Sequence, residues 1–297
     1  MNESKHKRIL ALDGGGSRGF FTYDILRMIS KEMKYRLCEK FDIIVGTSVG
    51  AIIASLVACG IEIDDKIGES MTRVFAVKNP EQPLFQPVYD GRNKTDMLKD
   101  IFKQRRMRDV RCPLALVTAG FEDRKMHLFR SWEEKDLFIW EVLDAASAAP
   151  TYFPPVKIGS KFFVDGGILC NTPVNVGVVC LRQLFPRKDI CPLLKFRIMS
   201  IGNRTSVEYN FKIEDPNRMG IAAWIQAGLV DFMMGVDDDS NVDLIQAIYG
   251  EEVVLRIVAN APPWFDDVTE KFMHSLQLES RRIWEKEHES IKKFFQD

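Results

Sequence analysis

The pentapeptide Gly46-Thr47-Ser48-Val49-Gly50 has the Gly-x-Ser-x-Gly pattern of a nucleophile elbow, in which a serine stands on a sharp turn between a strand and a helix. Before it, Phe41 to Val45 is short, apolar and β-branched, which predicts a buried parallel strand. After it, Ala51 to Cys59 predicts a buried helix that ends at Gly60. This order makes Ser48 a candidate nucleophile, although an ordinary glycine-rich turn has the same pattern.

A second glycine loop follows the first predicted strand, Arg8 to Leu12. The loop is Asp13-Gly14-Gly15-Gly16-Ser17-Arg18-Gly19, and apolar residues spaced four apart from Phe21 to Met33 predict a helix after it. The resulting βαβ unit places both glycine loops at the carboxyl ends of adjacent parallel strands. Glycines at a helix start expose backbone N–H groups, so Gly14, Gly15 and Gly16 are predicted to form an oxyanion hole. Arg18 is expected to anchor this loop or to steady a nearby anion.

The same loop also fits the Gly-x-Gly-x-x-Gly pattern of dinucleotide-binding proteins. That pattern needs an acidic residue at the end of the second strand, where this chain has Gly46-Thr47-Ser48. A P-loop is disfavoured because no Gly-Lys-Ser/Thr follows the glycines. The oxyanion hole is therefore the favoured interpretation, and a nucleotide-binding module that uses Gly14 to Gly19 is an alternative from another class.

A serine nucleophile needs a general base, and Asp165 is the best placed candidate. It follows the apolar strand Phe162 to Val164 and precedes Gly166 and Gly167, so we expect its carboxylate on a tight turn at the same edge of the sheet. Burial beside Ser48 would raise the pKa of this carboxyl group toward that of a useful base.

None of the histidines is predicted to lie in a loop at the end of a strand, where a base is usually presented. A Ser-His-Asp esterase of the α/β-hydrolase type is therefore a second enzymatic alternative, disfavoured also because that fold places its elbow after several strands. The four histidines are His6 in the polar N-terminus, His127 in a predicted strand, and His274 and His288 in the predicted C-terminal helix.

Composition excludes several classes of protein. The 41 basic and 42 acidic residues give a net charge of -1, which does not favour nucleic acid as a partner. The six cysteines are scattered through apolar runs, as expected of reduced core residues. The N-terminus lacks the pattern of a signal peptide, and no apolar run reaches the roughly 20 residues of a membrane-spanning helix. We expect a cytoplasmic protein.

The rest of the chain alternates predicted strands and helices without repeats or an evident linker, so residues 1–297 are predicted to form one α/β domain. Thr95 is predicted to cap a helix that runs to about Arg106. The other predicted strands span residues 114–121, 125–129, 195–201 and 253–258, and the other predicted helices span 64–77, 137–147, 174–185, 221–234, 242–249 and 266–295.

Taken together, these motifs resemble the patatin-like phospholipase family. The Asp13 to Gly19 loop, the Gly46 to Gly50 elbow and Asp165-Gly166-Gly167 have the order and spacing of the family, and Ala145 to Pro155 resembles its Pro-Phe-Pro stretch. The resemblance covers about residues 8–202, and Gly167 stands where many members have alanine. After about Ile213 the likeness is much weaker, so residues 213–297 are expected to form a variable helical part.

The resemblance implies a three-layer α/β/α sandwich with a mostly parallel central sheet. It also implies a Ser-Asp dyad, with Ser48 as nucleophile and Asp165 as general base, that hydrolyses acyl esters of phospholipids or related lipids at a membrane surface without a cofactor. Bacterial members include toxins and defence effectors that a ligand or partner activates, so a regulated effector is a further expectation. The protein would then be peripheral at the membrane when active.

No metal site is predicted. Asp237, Asp239 and Asn241 imitate the first ligands of an EF-hand loop, but valine and isoleucine occupy the required glycine and closing glutamate positions. Lipid specificity is expected to come from apolar residues of the variable segments, namely the loop Pro80 to Tyr89 and the stretch Phe232 to Met234.

Overall fold

The computed structural model describes residues 6–79, 85–186, 195–205, 229, 232–233, 239–262 and 265–296. Several predictions concern residues outside these ranges. They are the first part of the Pro80 to Tyr89 loop, Cys191, most of the helix at 221–234, Met234 and Asp237.

Strands and helices alternate over most of the described chain, as the sequence predicts. The strands are β1 (Lys7–Leu12), β2 (Ile43–Thr47), β3 (Leu114–Gly120), β4 (Met126–Arg130), β5 (Val156–Ile158), β6 (Lys161–Asp165), β7 (Phe196–Thr205) and β8 (Val254–Ala261). The α-helices are α1 (Phe20–Met33), α2 (Val49–Cys59), α3 (Asp65–Thr72), α4 (Arg92–Phe102), α5 (Ile139–Ala146), α6 (Val174–Leu184), α7 (Ser240–Tyr249) and α8 (Glu270–Gln296). Short 3₁₀ turns span Gly16–Gly19, Leu37–Glu39, Arg73–Phe75, Met107–Asp109, Gly166–Ile168 and Glu251–Val253.

The eight described strands form one mixed sheet. Strands β3, β2, β1, β7 and β8 lie side by side and run parallel. Strands β4 and β6 both pair with β3 in the antiparallel direction, and β5 pairs with β6. The sheet is therefore mostly parallel, with an antiparallel corner around β3.

Helices cover both faces of this sheet. On one face, α1, α2, α4, α5 and α8 pack their apolar side chains into the larger core. On the other face, α6 and α7 pack over a second core of mainly β-branched side chains. This arrangement confirms the predicted α/β/α sandwich, and it buries the parallel strands on both sides, as their continuous apolar sequences require.

Two local predictions were wrong. The helix predicted to be capped by Thr95 begins at Arg92, because Gly91 adopts φ 83° and supplies the turn into the first helical residue. Thr95 lies in the first turn, where its hydroxyl donates to Asp144. The helix predicted from Asp64 is capped by that residue, as its side chain accepts from the Ile67 N–H, but it ends at Thr72 and not at Val77. The single-domain organisation stays a prediction.

None of the helices among the described residues combines the length and the apolar composition needed to cross a membrane. The five described cysteines, all outside the segment that contains Cys191, are buried and form no disulfide with one another. Their burial fits the predicted role as core residues.

Gly50 and Gly68 offer a matched test of why the first turn of α2 needs glycine. A Cβ on Gly50 would lie 2.4 Å from the carbonyl oxygens of Leu12 and Asp13, whereas a Cβ on Gly68 would lie 3.5 Å from Tyr23, an ordinary contact. We expect Gly50→Ala to lower the free energy of unfolding by about 3 kcal/mol or more, because rigid backbone cannot yield. Gly68→Ala should change it by less than about 1 kcal/mol, in the stabilising direction. Chemical denaturation measures both, and equal losses would contradict the steric argument.

Candidate active site

Ser48 stands at the turn between β2 and α2 with a backbone that L-residues rarely adopt, φ 55° and ψ −128°. Such a conformation costs about 1–3 kcal/mol and persists only where the surroundings impose it. The flanking glycines allow the tight turn, because a Cβ on Gly46 would lie 2.5 Å from the Gly50 carbonyl oxygen. On the preceding residue, Thr47, the hydroxyl donates to the Cys170 carbonyl at 2.8 Å and fixes the end of β2. The sequence prediction of an elbow at Ser48 therefore matches the local geometry.

The glycine loop after β1 lies against this elbow, as predicted. A Cβ on Gly14 would lie 3.1 Å from Ser48 Cβ, and one on Gly19 would lie 2.5 Å from a Val49 methyl group. Gly15 and Gly16 have positive φ angles of 147° and 58°, which favour glycine. The two loops therefore need glycine in order to approach each other.

Two buried charged residues hold the glycine loop in place. Arg18 Nε donates to the Gly15 carbonyl at 3.1 Å, which is the predicted anchoring role. Asp13 is fully buried and forms an ion pair with Arg256 of β8, with an Nη1 to Oδ2 distance of 2.7 Å. The loop is thus held both by its own backbone and by β8, a strand at the edge of the sheet.

The backbone amides of the loop differ in what they contact. The Gly14 N–H donates to the Asn171 carbonyl at 3.1 Å, and the Ser17 N–H donates to the Phe265 carbonyl at 2.8 Å. Gly15 and Gly16 have no such recorded contact within the described residues. This corrects the prediction that all three glycines are available, because Gly14 has already used its donor.

Asp165 reaches Ser48 by a route that the sequence did not indicate. Thr47 of β2 pairs with Val117 of β3, and Asp165 of β6 pairs with the next residue, Thr118. Strand β4 pairs with both Val117 and Thr118 and therefore occupies one edge of β3. Strands β2 and β6 must then both lie along the opposite edge. They run toward each other along it, and their carboxyl ends meet at Ser48 and Asp165.

Burial dominates the electrostatics of Asp165. The side chain is fully buried, and this burial raises its pKa to about 6. The Ser48 hydroxyl, the Gly167 N–H and the Lys94 charge stabilise the ionised carboxylate and so limit the rise. Oδ1 accepts the Gly167 N–H at 2.8 Å. Oδ2 is buried and makes no hydrogen bond of ordinary length to a described residue.

Lys94 is a buried cation that the sequence analysis missed. Its ammonium group donates to the Asp144 carbonyl oxygen at 2.7 Å, lies 3.1 Å from Asp144 Oδ1, and sits 4.6 Å above the Phe153 ring centre. Desolvation lowers the pKa of Lys94, while Asp144 and Asp165 oppose this shift. No motif distinguishes Lys94 from Lys99, the other lysine of α4, so only the fold reveals it.

A narrow cavity joins Ser48 to Lys94. Most of its lining is apolar, and it encloses about 40 Å³, room for about three water molecules. The residues that line it are Gly16, Phe20, Ser48, Val49, Ile52, Met71, Val74, Phe75, Lys94, Met97, Ser147, Phe153 and Phe265. Phe265 comes from the segment before α8, a contribution that no sequence pattern indicated.

The histidines do not gather at this cavity. His127 Nε2 lies 2.8 Å from Asp123 Oδ2, and His288, on α8, faces Glu32 and Glu289. None of the described histidines lines the cavity.

Gly166 is closely packed against β3, since a Cβ there would lie 2.6 Å from the Val117 backbone. Both the base candidate and the turn after it are thus determined by the β3 edge.

A strained serine at a strand-helix turn, a glycine loop beside it and a carboxylate facing it have the arrangement of an acyl hydrolase site in an α/β fold. The chain belongs to the patatin-like phospholipase family, whose sequence model matches residues 10–178. This membership confirms the resemblance and the fold class predicted from the sequence.

Two bacterial relatives are similar over the part of the chain that carries the motifs. The cGAMP-activated phospholipase of Vibrio cholerae is 29% identical over 67% of this chain and 66% of its own length. The cUMP-AMP-activated phospholipase of Escherichia coli is 28% identical over 66% of this chain and 64% of its own length. The matches thus span just under two thirds of either relative. Among solved structures, VipD of Legionella pneumophila is 12% identical, with a TM-score of 0.49 over 95% of this chain and 67% of that protein.

The electrostatics of Asp165 generate a pH prediction that involves Lys94. A fluorophosphonate probe should label Ser48 with a rate that rises with pH around a midpoint of about 6, as Asp165 ionises. Replacing the buried pair together, Lys94→Met/Asp144→Asn, leaves no unpaired charge and removes the cation that favours the Asp165 carboxylate. The midpoint should rise by on the order of one pH unit.

Lys99→Met is the matched control, because Lys99 is an exposed lysine of the same helix that lies over Trp140. Its midpoint should equal that of the unmodified protein. An unchanged midpoint in the double variant would show that the Lys94 charge does not act on Asp165.

Proposed function

We propose that this protein hydrolyses acyl esters of phospholipids or related lipids through a Ser48-Asp165 dyad. The observation that carries the proposal is the pairing of Thr47 and Asp165 with consecutive residues on one edge of β3. It brings a strained, glycine-flanked serine and a buried carboxylate together without a histidine.

In the proposed reaction, Asp165 Oδ2 takes the proton of the Ser48 hydroxyl while the serine oxygen attacks the ester carbonyl carbon. The protonated Asp165 then gives this proton to the alcohol that leaves, and an acyl-enzyme remains. Water attacks the acyl-enzyme with Asp165 again as base, which releases the fatty acid and restores Ser48. A pKa of about 6 suits this role, because Asp165 is largely ionised at neutral pH and still basic enough to accept a proton.

The oxyanion of each tetrahedral intermediate would be held by the N–H groups of Gly15 and Gly16. Gly16 lines the same cavity as Ser48, and both glycines have positive φ angles that other residues adopt only with strain. Each donor of this kind typically contributes about 2.7–4 kcal/mol of transition-state stabilisation. Gly14 would support the loop through its bond to Asn171 rather than donate to the oxyanion.

The substrate class follows from the family and from the lining of the cavity. Apolar side chains from α1, α2, α4 and the turn at Arg73–Phe75 surround Ser48, which suits an acyl chain and not a charged peptide.

Regulation is a second part of the proposal. The two bacterial relatives are named for activation by a nucleotide ligand. In this chain Phe265 lines the cavity, and its carbonyl accepts the Ser17 N–H of the glycine loop. We propose that a ligand or partner shifts this protein toward a state with an open cavity, and that it then acts as a regulated effector at the membrane. Such a ligand must bind the open state more tightly than the closed one.

The alternatives predicted from the sequence have less support. A histidine triad needs a histidine beside Ser48, whereas none of the described histidines lines the cavity, and His127 and His288 face acidic residues elsewhere. A nucleotide site in the Gly14 to Gly19 loop needs its amides for phosphate oxygens, but Gly14 and Ser17 already donate to backbone carbonyls.

Removing either dyad residue should abolish hydrolysis. Ser48→Ala and Asp165→Asn are expected to reduce fatty acid release from phospholipids by about 1,000-fold or more, because nucleophile and base act as one unit. Ser55→Ala is the matched control, since Ser55 is a buried serine of the helix that follows Ser48. Its activity should stay within about threefold of the unmodified protein. Near-full activity in either dyad variant would refute the proposed mechanism.

A further inference from the structure

Three apolar side chains are exposed together where β3, β4 and β6 meet. Phe121 is 61% exposed, Met126 44% and Phe162 40%. The Phe121 N–H donates to the Phe162 carbonyl at 2.9 Å, so these two residues are cross-strand neighbours. We call Phe121, Met126 and Phe162 the β3–β6 patch.

The register of the strands puts all three side chains on one face. Phe163 and Phe129 pack against each other in the larger core, with ring centres 5.2 Å apart. Because side chains alternate along a strand, Phe162 and Met126 point to the opposite face, and so does Phe121 beside Phe162. The patch is therefore continuous, unlike single apolar residues scattered over a surface.

Uncompensated positive charge surrounds the patch. Lys157 pairs with Phe162 across β5 and β6 and lies 5.8 Å from its ring centre. Arg124 and Lys125, in the exposed turn between β3 and β4, form no ion pair with another described residue.

The acidic residues of the same turn do not cancel this charge. Asp123 forms an ion pair with Lys161 and lies 2.8 Å from His127 Nε2, and Glu122 accepts the Phe162 N–H. The charges of Asp123 and Lys161 cancel. The three positive charges of Arg124, Lys125 and Lys157 and the negative charge of Glu122 then leave a net charge of about +2 around the patch.

The patch lies at the end of the sheet where β2 stops at Ser48, on the face opposite the larger core that lines the cavity. Phe162 precedes Asp165 by three residues on β6, a distance of about 10 Å along a strand. Strand β3 extends three residues past Val117, the partner of Thr47, so the patch projects beyond the end of β2 at which Ser48 stands.

We infer that the β3–β6 patch docks the protein on a bilayer that contains anionic lipids, with the three apolar side chains in the interface and Arg124, Lys125 and Lys157 on the headgroups. Apolar side chains ringed by lysine and arginine bind such interfaces through burial and charge together. This inference rests on the proposed function, because a lipid hydrolase must bring Ser48 to an insoluble substrate.

The test uses vesicle sedimentation in a Ser48→Ala background, so that no lipid is consumed. Vesicles of phosphatidylcholine with phosphatidylglycerol are compared with vesicles of phosphatidylcholine alone. The parent should bind the anionic vesicles more tightly, and added Phe121→Ser/Phe162→Ser should weaken that binding about tenfold or more. Val179→Ser/Leu278→Ser is the matched control, because both residues are 51% exposed apolar side chains on α6 and α8, and its binding should equal that of the parent.

Equal binding by the patch variant and the control variant, or no vesicle binding by the parent, would overturn the inference. Dimers that depend on the patch, without vesicle binding, would overturn it as well, since the occupant would then be a second copy of the chain. Hydrolysis of a soluble short-chain ester tests the proposed function separately, because that substrate does not require membrane binding. Loss of the patch in the Ser48-containing protein should leave cleavage of that ester unchanged while hydrolysis of vesicle lipids falls about tenfold.

Discussion

The edge of β3 that β2 and β6 share determines the site. Val117 pairs with Thr47 and Thr118 pairs with Asp165, so the two strands run toward each other and end side by side. A shift of either strand by one residue would turn its side chains to the opposite face and separate the serine from the carboxylate. Gly46, Gly50 and Gly166 protect this register, because a side chain at any of them would collide with backbone.

Low polarity around the site then determines its chemistry. Burial raises the pKa of Asp165 to about 6, and the buried cation of Lys94 limits that rise, so the carboxylate stays ionised near neutrality but remains basic. Lys94 is itself held by Asp144, which lies near the end of α5. In the segment after α5, the Ala148 carbonyl accepts the Asp165 N–H. The Asp165 carboxylate is therefore positioned by its backbone, and its pKa is adjusted by a charge pair that no sequence motif marks.

Local patterns predicted much of this site. Both glycine loops, the elbow at Ser48 and the turn after Asp165 were predictable because tight turns require glycine and because apolar runs define strands. The antiparallel direction of β6 was not predictable, since the three apolar residues before Asp165 fit either direction. Lys94 and Phe265 were also missed, because they reach the cavity from elements remote in sequence. The sequence did not distinguish Gly14 from Gly15 and Gly16, because the Asn171 carbonyl that accepts the Gly14 N–H comes from a segment remote in sequence.

The most direct measurement of the central claim is a crystal structure of the protein after reaction with a fluorophosphonate. The phosphorus should be bonded to Ser48 Oγ, with its phosphoryl oxygen within hydrogen-bond distance of the Gly15 and Gly16 N–H groups and Asp165 Oδ2 beside Ser48 Oγ. A probe bonded to another residue, or a phosphoryl oxygen that faces away from Gly15 and Gly16, would contradict the dyad and its oxyanion hole.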